Sequence, residues 1–428
     1  MKYRQFTFEG YLFDASEKTL SLHYCMDDEL HFTETYRFDF EFVPGYSQEA
    51  LRRAFELLHL VAGVSYYKTY IPAELAVSSA QIDGPTAHFL SQVYQKGLGE
   101  FFYINQLDPA SAVTFPTTGH DVKPIEFAPG EGLLIGLGGG KDSLVSTEIL
   151  RGQPKVATWS LNHRPQLQPL VERVGLPHFY VEREWDQQLR TLNAQDAYNG
   201  HIPISAIFAC VGVIVAILSG YRDVVVSNES SASEPNLHYQ GVAINHQYSK
   251  SLEFEQDFQA TLSRMYGDSV QYYSFLRPLS ELRIAELFAG RGFDKYHDVF
   301  SSCNRAFTHN SDRLFWDGVC AKCAFVFLAL TPFVQRERLE ELFSGKNLLL
   351  DPSLEPTYRQ LLGIEGDKPL ECVGEVKESR AAMRLATQRY PELAKYRYDL
   401  PANYDYRALA AHSMPKEAFA ILRSALPT

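Results

Sequence analysis

The stretch GLGGGKDSLV, residues 136–145, places Gly138, Gly139 and Gly140 directly before a cation, an anion and a hydroxyl, Lys141, Asp142 and Ser143. Consecutive glycines let backbone N–H groups approach phosphate oxygens, and a helix starting here adds the positive end of its dipole. Lys141 can neutralise phosphate charge, and Ser143 can donate a hydrogen bond. Asp142 would repel bare phosphate, so the pattern calls for an intervening cation. Mg2+ shared between a carboxylate and phosphate oxygens is the natural one. Two better-known phosphate loops are excluded by position. A Walker A loop needs Ser or Thr after Gly140-Lys141, where Asp142 stands, and a glycine at position 135, where Ile135 stands. A dinucleotide fingerprint needs a third glycine at Lys141 and an acid after the second strand, and "SLNHR" supplies none. The remaining alternative is a tight strand-to-helix turn with no ligand.

The elements that must position these residues are legible around them. The short apolar run "GLLIGL" (132–137) precedes the glycines, and a helical stretch to about Leu150 follows. "KVATWSLN" (155–162), "HFYVERE" (178–184) and "DVVVSNE" (223–229) read as further strands. Apolar strands alternating with helices predict a parallel sheet covered on both faces. Upstream, "QFTFEGYLFD", "LSLHYCMD" and "HFTETYRFDFEF" alternate as an antiparallel sheet with one wet face. Helices are expected at about 48–62 and 85–106, and the Pro/Gly/Thr-rich 108–132 reads as a linker. These shifts predict an antiparallel sheet with helices over 1–125, an α/β domain over 126–337 and a mostly helical region over 338–428.

Among 428 residues, 45% are hydrophobic and the net charge is −12, which argues against a default nucleic-acid surface. The most apolar run, 204–221, is short for a bilayer and is expected as a buried helix rather than a membrane insertion. "MKYRQFTFEG" lacks a secretion-signal pattern, so a cytoplasmic protein with six reduced cysteines is expected. No obligate protein partner is evident.

Residues 138–143 resemble the pyrophosphate loop (PP-loop) of the N-type ATP pyrophosphatases, whose pattern is Ser-Gly-Gly-x-Asp-Ser after the first strand of a parallel sheet; Gly138 replaces the serine. The resemblance implies ATP and Mg2+ as cofactors, cleavage between the α and β phosphates, and adenylation of a substrate oxygen. It places Gly138, Gly139, Gly140, Lys141, Asp142 and Ser143 on the nucleotide. Longer stretches narrow it further. "LLHLVAGVSYYKTYIP" (57–72), "KGLGEFFYINQLD" (96–108), "NHQYSKSLEFE" (245–255), "CAKCAFVFLAL" (320–330) and "KPLECVGEVKESRAA" (368–382) resemble the MurL family of UDP-N-acetyl-α-D-muramoyl-L-alanyl-L-glutamate epimerases. This resemblance implies conversion of the terminal L-Glu of a UDP-muramoyl dipeptide, a small-molecule substrate, to D-Glu in peptidoglycan synthesis, with ATP going to AMP and pyrophosphate. Alternatives are a superfamily ligase or thiolase acting on a nucleobase, and a non-enzymatic ATP sensor.

An epimerase needs proton carriers, and the sequence offers Cys303, Cys372, His246 and Lys250. Glu371 and Glu375 should raise the Cys372 thiol unless offset, whereas Arg305 should lower Cys303. Each has a plain alternative as a core or surface residue. Asn228 and Glu229 end a strand, where ligands of open parallel sheets sit; Glu229 is expected near the nucleotide and on Mg2+ with Asp142, with a loop acid as the alternative. Ser160 and Asn162 should touch adenosine on the same argument. Tyr66, Tyr67 and Lys68 offer a surface to the UDP-sugar, or else pack against the sheet. Cys320 and Cys323, with Cys303 third and His297 or His309 fourth, have some spacing of a zinc site, but the missing second pair weighs against a metal there.

Overall fold

The computed structural model describes residues 2–121, 123–125, 127–128, 130–307, 311–395 and 404–427. Eleven strands are present in them: β1 (Gln5–Asp14), β2 (Thr19–Met26), β3 (Leu30–Asp39), β4 (Glu74–Val77), β5 (Leu133–Gly136), β6 (Val156–Leu161), β7 (His178–Glu184), β8 (Asp223–Val226), β9 (Leu237–Tyr239), β10 (Val242–Ile244) and β11 (Gln271–Ser274). Nine of them form one sheet in the order β11-β8-β5-β6-β7-β3-β2-β1-β4; β9 and β10 make a separate hairpin. The run from β11 to β7 is parallel. From β5 the chain steps outward through β6 to β7, then crosses to β8 and β11 on the other side. The strand order therefore reverses between β5 and β8, and ligands of such sheets bind at the carboxyl ends of the strands flanking that reversal. The glycine loop follows β5, and Asn228 and Glu229 follow β8.

The expected boundary at residue 125 does not separate two sheets. β3 pairs antiparallel with β7, Phe38 opposite Val181, so the N-terminal meander continues the parallel sheet and covers its β7 edge. This pairing is long-range and leaves no local trace in either strand. The helix expected at 48–62 is Gln48–Ala62, capped by the Ser47 hydroxyl. The one expected at 85–106 divides into Gly84–Gly97 and Gly99–Ile104. The apolar run forms the buried helix Ile204–Ser219. At Gly212 it lies so close to β6 and β8 that a Cβ would sit 2.8 Å from Val224 and 2.9 Å from Trp159. Among the described residues no helix is long and apolar enough to cross a membrane.

Among the described residues from 338 onward the regular elements are helical, and they pack into the body of the protein. Ala382 and Leu422 share one apolar core with Leu144 and Val145 of the helix that follows the glycine loop. The C-terminal segments thereby pack against the helix that carries the end of the glycine loop.

Candidate active site

The glycine loop turns sharply between β5 and the helix Lys141–Leu150. Gly139 has φ +87°, and a Cβ there would meet Leu167, Phe307 and Leu314 at 3.1–3.3 Å, so glycine is required. Its carbonyl accepts from the Ser301 N–H at 3.0 Å. Gly138 lies in open space, with nothing within 4 Å of a Cβ; a serine would fit, and glycine is not sterically demanded. Gly140 is the N-cap and brings no side chain to the first N–H groups of the helix. The Ser143 hydroxyl donates to the Gly140 carbonyl at 3.1 Å.

A buried network of charge starts at this helix. The Lys141 ammonium donates to Asp142 Oδ1 at 2.5 Å and to Glu281 Oε2. Lys322 Nζ lies 3.7 Å from Glu281 Oε1 and donates to the Cys372 carbonyl. Burial pushes the Glu281 carboxyl up, but Lys141, Lys322 and Lys250 outweigh it and hold the group below its ordinary value. Glu229 lacks such compensation: burial, then repulsion from Glu281 and Asp142, raises it despite Lys250 and Lys322. Beyond Glu281, Glu378 caps its helix by accepting the Glu281 N–H at 2.8 Å, and burial raises Glu378 to about 8.

Cys372 closes the network. Lys250 Nζ stands 3.2 Å from its sulfur. Burial would raise the thiol, yet Lys250 and then the His246 contact pull it down to about 6. His246 is hydrogen-bonded to Glu100, and burial would lower it, but Cys372 and Glu100 raise it to about 9. His201 stacks beside it, ring centroids 4.5 Å apart. The Cys372 sulfur thus sits between an ammonium and an imidazole, surroundings that favour its thiolate form.

Arg277 positions this half of the site from behind. Buried with Glu255 at 2.9 Å, its guanidinium donates to the carbonyls of Glu229 and Lys250, each at 2.6 Å. Removing one member of a buried ion pair costs about 3–5 kcal/mol. Arg277→Met is expected to lower unfolding stability by that order, read as a drop in urea midpoint.

Of the sequence candidates, Lys141, Asp142, Glu229, Lys250, His246 and Cys372 converge. Several others do not. Cys303 is fully buried beside Cys320, Cys323 and Asp317 rather than with the other proton carriers. Ser160 is bound to His178 Nε2 at 3.0 Å, and Asn162 Oδ1 accepts the Arg183 N–H at 2.5 Å; both join β6 to β7 instead of facing the loop. Asn228 follows β8, and its carbonyl accepts the Ser274 hydroxyl. Tyr66 and Tyr67 are fully buried. Tyr66 donates to Glu34 and stacks on Tyr24, and Tyr67 packs edge-on to Tyr94. Lys68 is buried with them and lowered to about 8 by burial. Aromatic packing accounts for the two tyrosines, and the Lys68 ammonium donates to the Tyr198 carbonyl and to Asn199 Oδ1. His309 lies outside the described residues, and His297 stacks on Phe293 instead of joining the cysteines. Glu281, Lys322, Glu100, His201 and Arg277 were not anticipated, because each comes from a different element with no motif spacing.

Comparison with known proteins fixes the family. The MurL N-terminal domain matches residues 1–275, more than half of the chain, and the MurL C-terminal domain matches 299–397. The chain belongs to the MurL family. The UDP-N-acetyl-alpha-D-muramoyl-L-alanyl-L-glutamate epimerase of Xanthomonas oryzae pv. oryzae is 41% identical over 399 residues, 90% of this chain and 86% of that protein. The proteins of the same name from Salinispora tropica and a Micromonospora species are 43% and 42% identical, over 89% and 90% of this chain and 84% and 87% of theirs. The MurL N-terminal domain contains the glycine loop, Glu229, His246 and Lys250, and the MurL C-terminal domain contains Lys322 and Cys372. The Lys250–Cys372 contact therefore joins the two family domains, and Glu281 lies between them.

Proposed function

We propose that this chain converts the terminal L-Glu of UDP-N-acetylmuramoyl-L-alanyl-L-glutamate to D-Glu, using Mg-ATP to adenylate the α-carboxylate and releasing AMP and pyrophosphate. One observation carries the reading: a phosphate-type loop bearing Lys141 and Asp142 shares a single buried charge network with the low-pKa thiol of Cys372. The epimerase relatives support the substrate class.

The nucleotide fits the residues present. Gly139 and the uncapped helix start offer backbone N–H groups, and Lys141, Lys250 and Lys322 offer cations. Asp142 and Glu229 would hold Mg2+, which would relieve the repulsion that raises Glu229. When bound, the ion supplies charge neutralisation on the phosphates. The need for ATP is chemical. The α-hydrogen of glutamate beside a free carboxylate is a very poor acid, since its loss would stack a second negative charge. Attack of a carboxylate oxygen on the α-phosphorus expels pyrophosphate and leaves a neutral acyl carbonyl. Cys372, held as thiolate, then takes the α-proton. Inversion requires a proton returned to the opposite face, and water then releases AMP and regenerates the carboxylate.

The Cys372 and His246 values set a pH window. Cys372 must be unprotonated and His246 protonated, so kcat/KM should fall below about 6 and again above about 9. These are values of the pair, not of isolated groups. A profile rising monotonically through 6–9 would contradict the ion pair. The proposal as a whole is tested by pyrophosphate release, which should depend on the UDP-muramoyl dipeptide. Release driven equally by a nucleobase substrate would favour the ligase alternative, and nucleotide binding without release would favour the sensor.

A further inference from the structure

Cys303, Asp317, Cys320 and Cys323 each present one ligand atom, and these four atoms lie within 4.8 Å of one another. They come from two places: a fully buried turn at Cys303, and the approach and first turn of the helix Ala321–Leu330. The spacing Asp317-x-x-Cys320-x-x-Cys323 brings three donors to one helix start. Cys323 Sγ is 3.1 Å from Asp317 Oδ1, and the Cys320 sulfur accepts the Cys323 N–H at 3.4 Å. The helix dipole favours thiolate there. Asp317 Oδ1 also accepts the Val319 N–H at 2.9 Å. Asp317 Oδ2 is buried with no hydrogen-bond partner, with Arg305 Nε 3.3 Å away as an ion pair.

We propose that these four residues bind one structural zinc ion. Tetrahedral zinc with Zn–S near 2.3 Å places its ligands roughly 3.5–4 Å apart, a contraction these atoms can make within their present spread. Soft thiolates select zinc over magnesium or calcium. A disulfide would use only two of the three sulfurs and leave the third thiol without a role. On binding, each thiol gives its proton to solvent and becomes a ligand. All four ligands are protein-derived, which marks a structural rather than a catalytic zinc.

The site has something to hold. Between the Phe293–Tyr296 turn and the Ala321–Leu330 helix, the described residues contain only one short 3-10 turn, Asn304–Phe307. Yet this segment supplies the Ser301 N–H to Gly139 and sets Phe307 and Leu314 against that glycine. Ser302 Cβ would lie 3.3 Å from a Cβ at Gly140. At its far end, Lys322 reaches Glu281 and the Cys372 carbonyl. Zinc would pin both ends of the segment that clamps the glycine loop.

The test is metal content of the full-length chain purified without chelator. About one zinc per chain is expected, with Co2+ substitution giving the thiolate charge-transfer and tetrahedral d–d bands. Cys303→Ser and Cys320→Ser should each retain less than about a tenth of the zinc, while Cys25→Ser and Cys210→Ser, at cysteines outside the group, should retain it. Should the serine variants fail to fold, mercurial titration of the wild-type thiols must release about one equivalent of zinc to a chromogenic chelator. Wild-type protein without zinc and without a tetrahedral Co2+ spectrum would overturn the proposal. So would zinc unaffected by the Cys303 and Cys320 substitutions.

Discussion

Asp142→Ala is expected to abolish substrate-dependent pyrophosphate release, by about a thousandfold or more, while leaving the protein folded. The asymmetry follows from its surroundings. Its side chain is partly exposed, and its recorded partner is Lys141, which keeps its contact with Glu281 when Asp142 is removed. The folded state loses one exposed-side carboxylate; the proposed reaction loses a Mg2+ ligand and the charge that calls for it. Asp142→Asn should fail almost as fully, because the amide preserves the size but not the charge. Pyrophosphate release and thermal unfolding measured on the same preparations distinguish lost chemistry from lost structure. Full activity in Asp142→Ala would remove adenylation from the account.

Cys372→Ala should produce the complementary defect. Pyrophosphate release should persist within a few-fold, because Cys372 is not part of the glycine loop. Exchange of the glutamate α-hydrogen should fall by about a hundred- to ten-thousandfold, the range for loss of a positioned general base. Cys372→Ser should be nearly as impaired, since an alcohol is not ionised by Lys250 and His246 at neutral pH. The two variants thus divide the reaction: one stops before the acyl phosphate, the other after it. A Cys372→Ala protein that still exchanges its α-hydrogen would assign the base elsewhere in the cluster.

The glycine loop, its flanking β5 and the helix Lys141–Leu150 were readable because strand, turn and helix adjoin in sequence. The fully buried β6 and the helix Ile204–Ser219 were readable for a different reason: continuous apolarity admits only an interior place. The β3–β7 pairing was not readable, since an edge strand does not name its partner. Glu281 and Lys322 were invisible as site residues because a lone acid or lysine at a helix start looks like any capping charge. Cys372 was named as a candidate, but what offsets its neighbouring acids was not legible. The neighbouring acids Glu371 and Glu375 suggested a raised thiol, whereas Lys250 and His246, more than a hundred residues away in sequence, lower it. Glu371 in fact turns away to accept the Lys322 N–H. Asp317 stands three residues before Cys320, and the fold brings it, rather than a histidine, beside the three cysteines.

The central claim is that glutamate is epimerised through loss of its α-proton from an ATP-activated carboxylate. It is tested most directly by incubating the protein with UDP-N-acetylmuramoyl-L-alanyl-L-glutamate in heavy water, with and without Mg-ATP, and reading deuterium at the glutamate α-carbon by mass spectrometry. The account predicts deuterium in the D-Glu product only when Mg-ATP is present, together with AMP and pyrophosphate. D-Glu formed with its α-hydrogen retained, or deuterium incorporated at full rate without ATP, would contradict it.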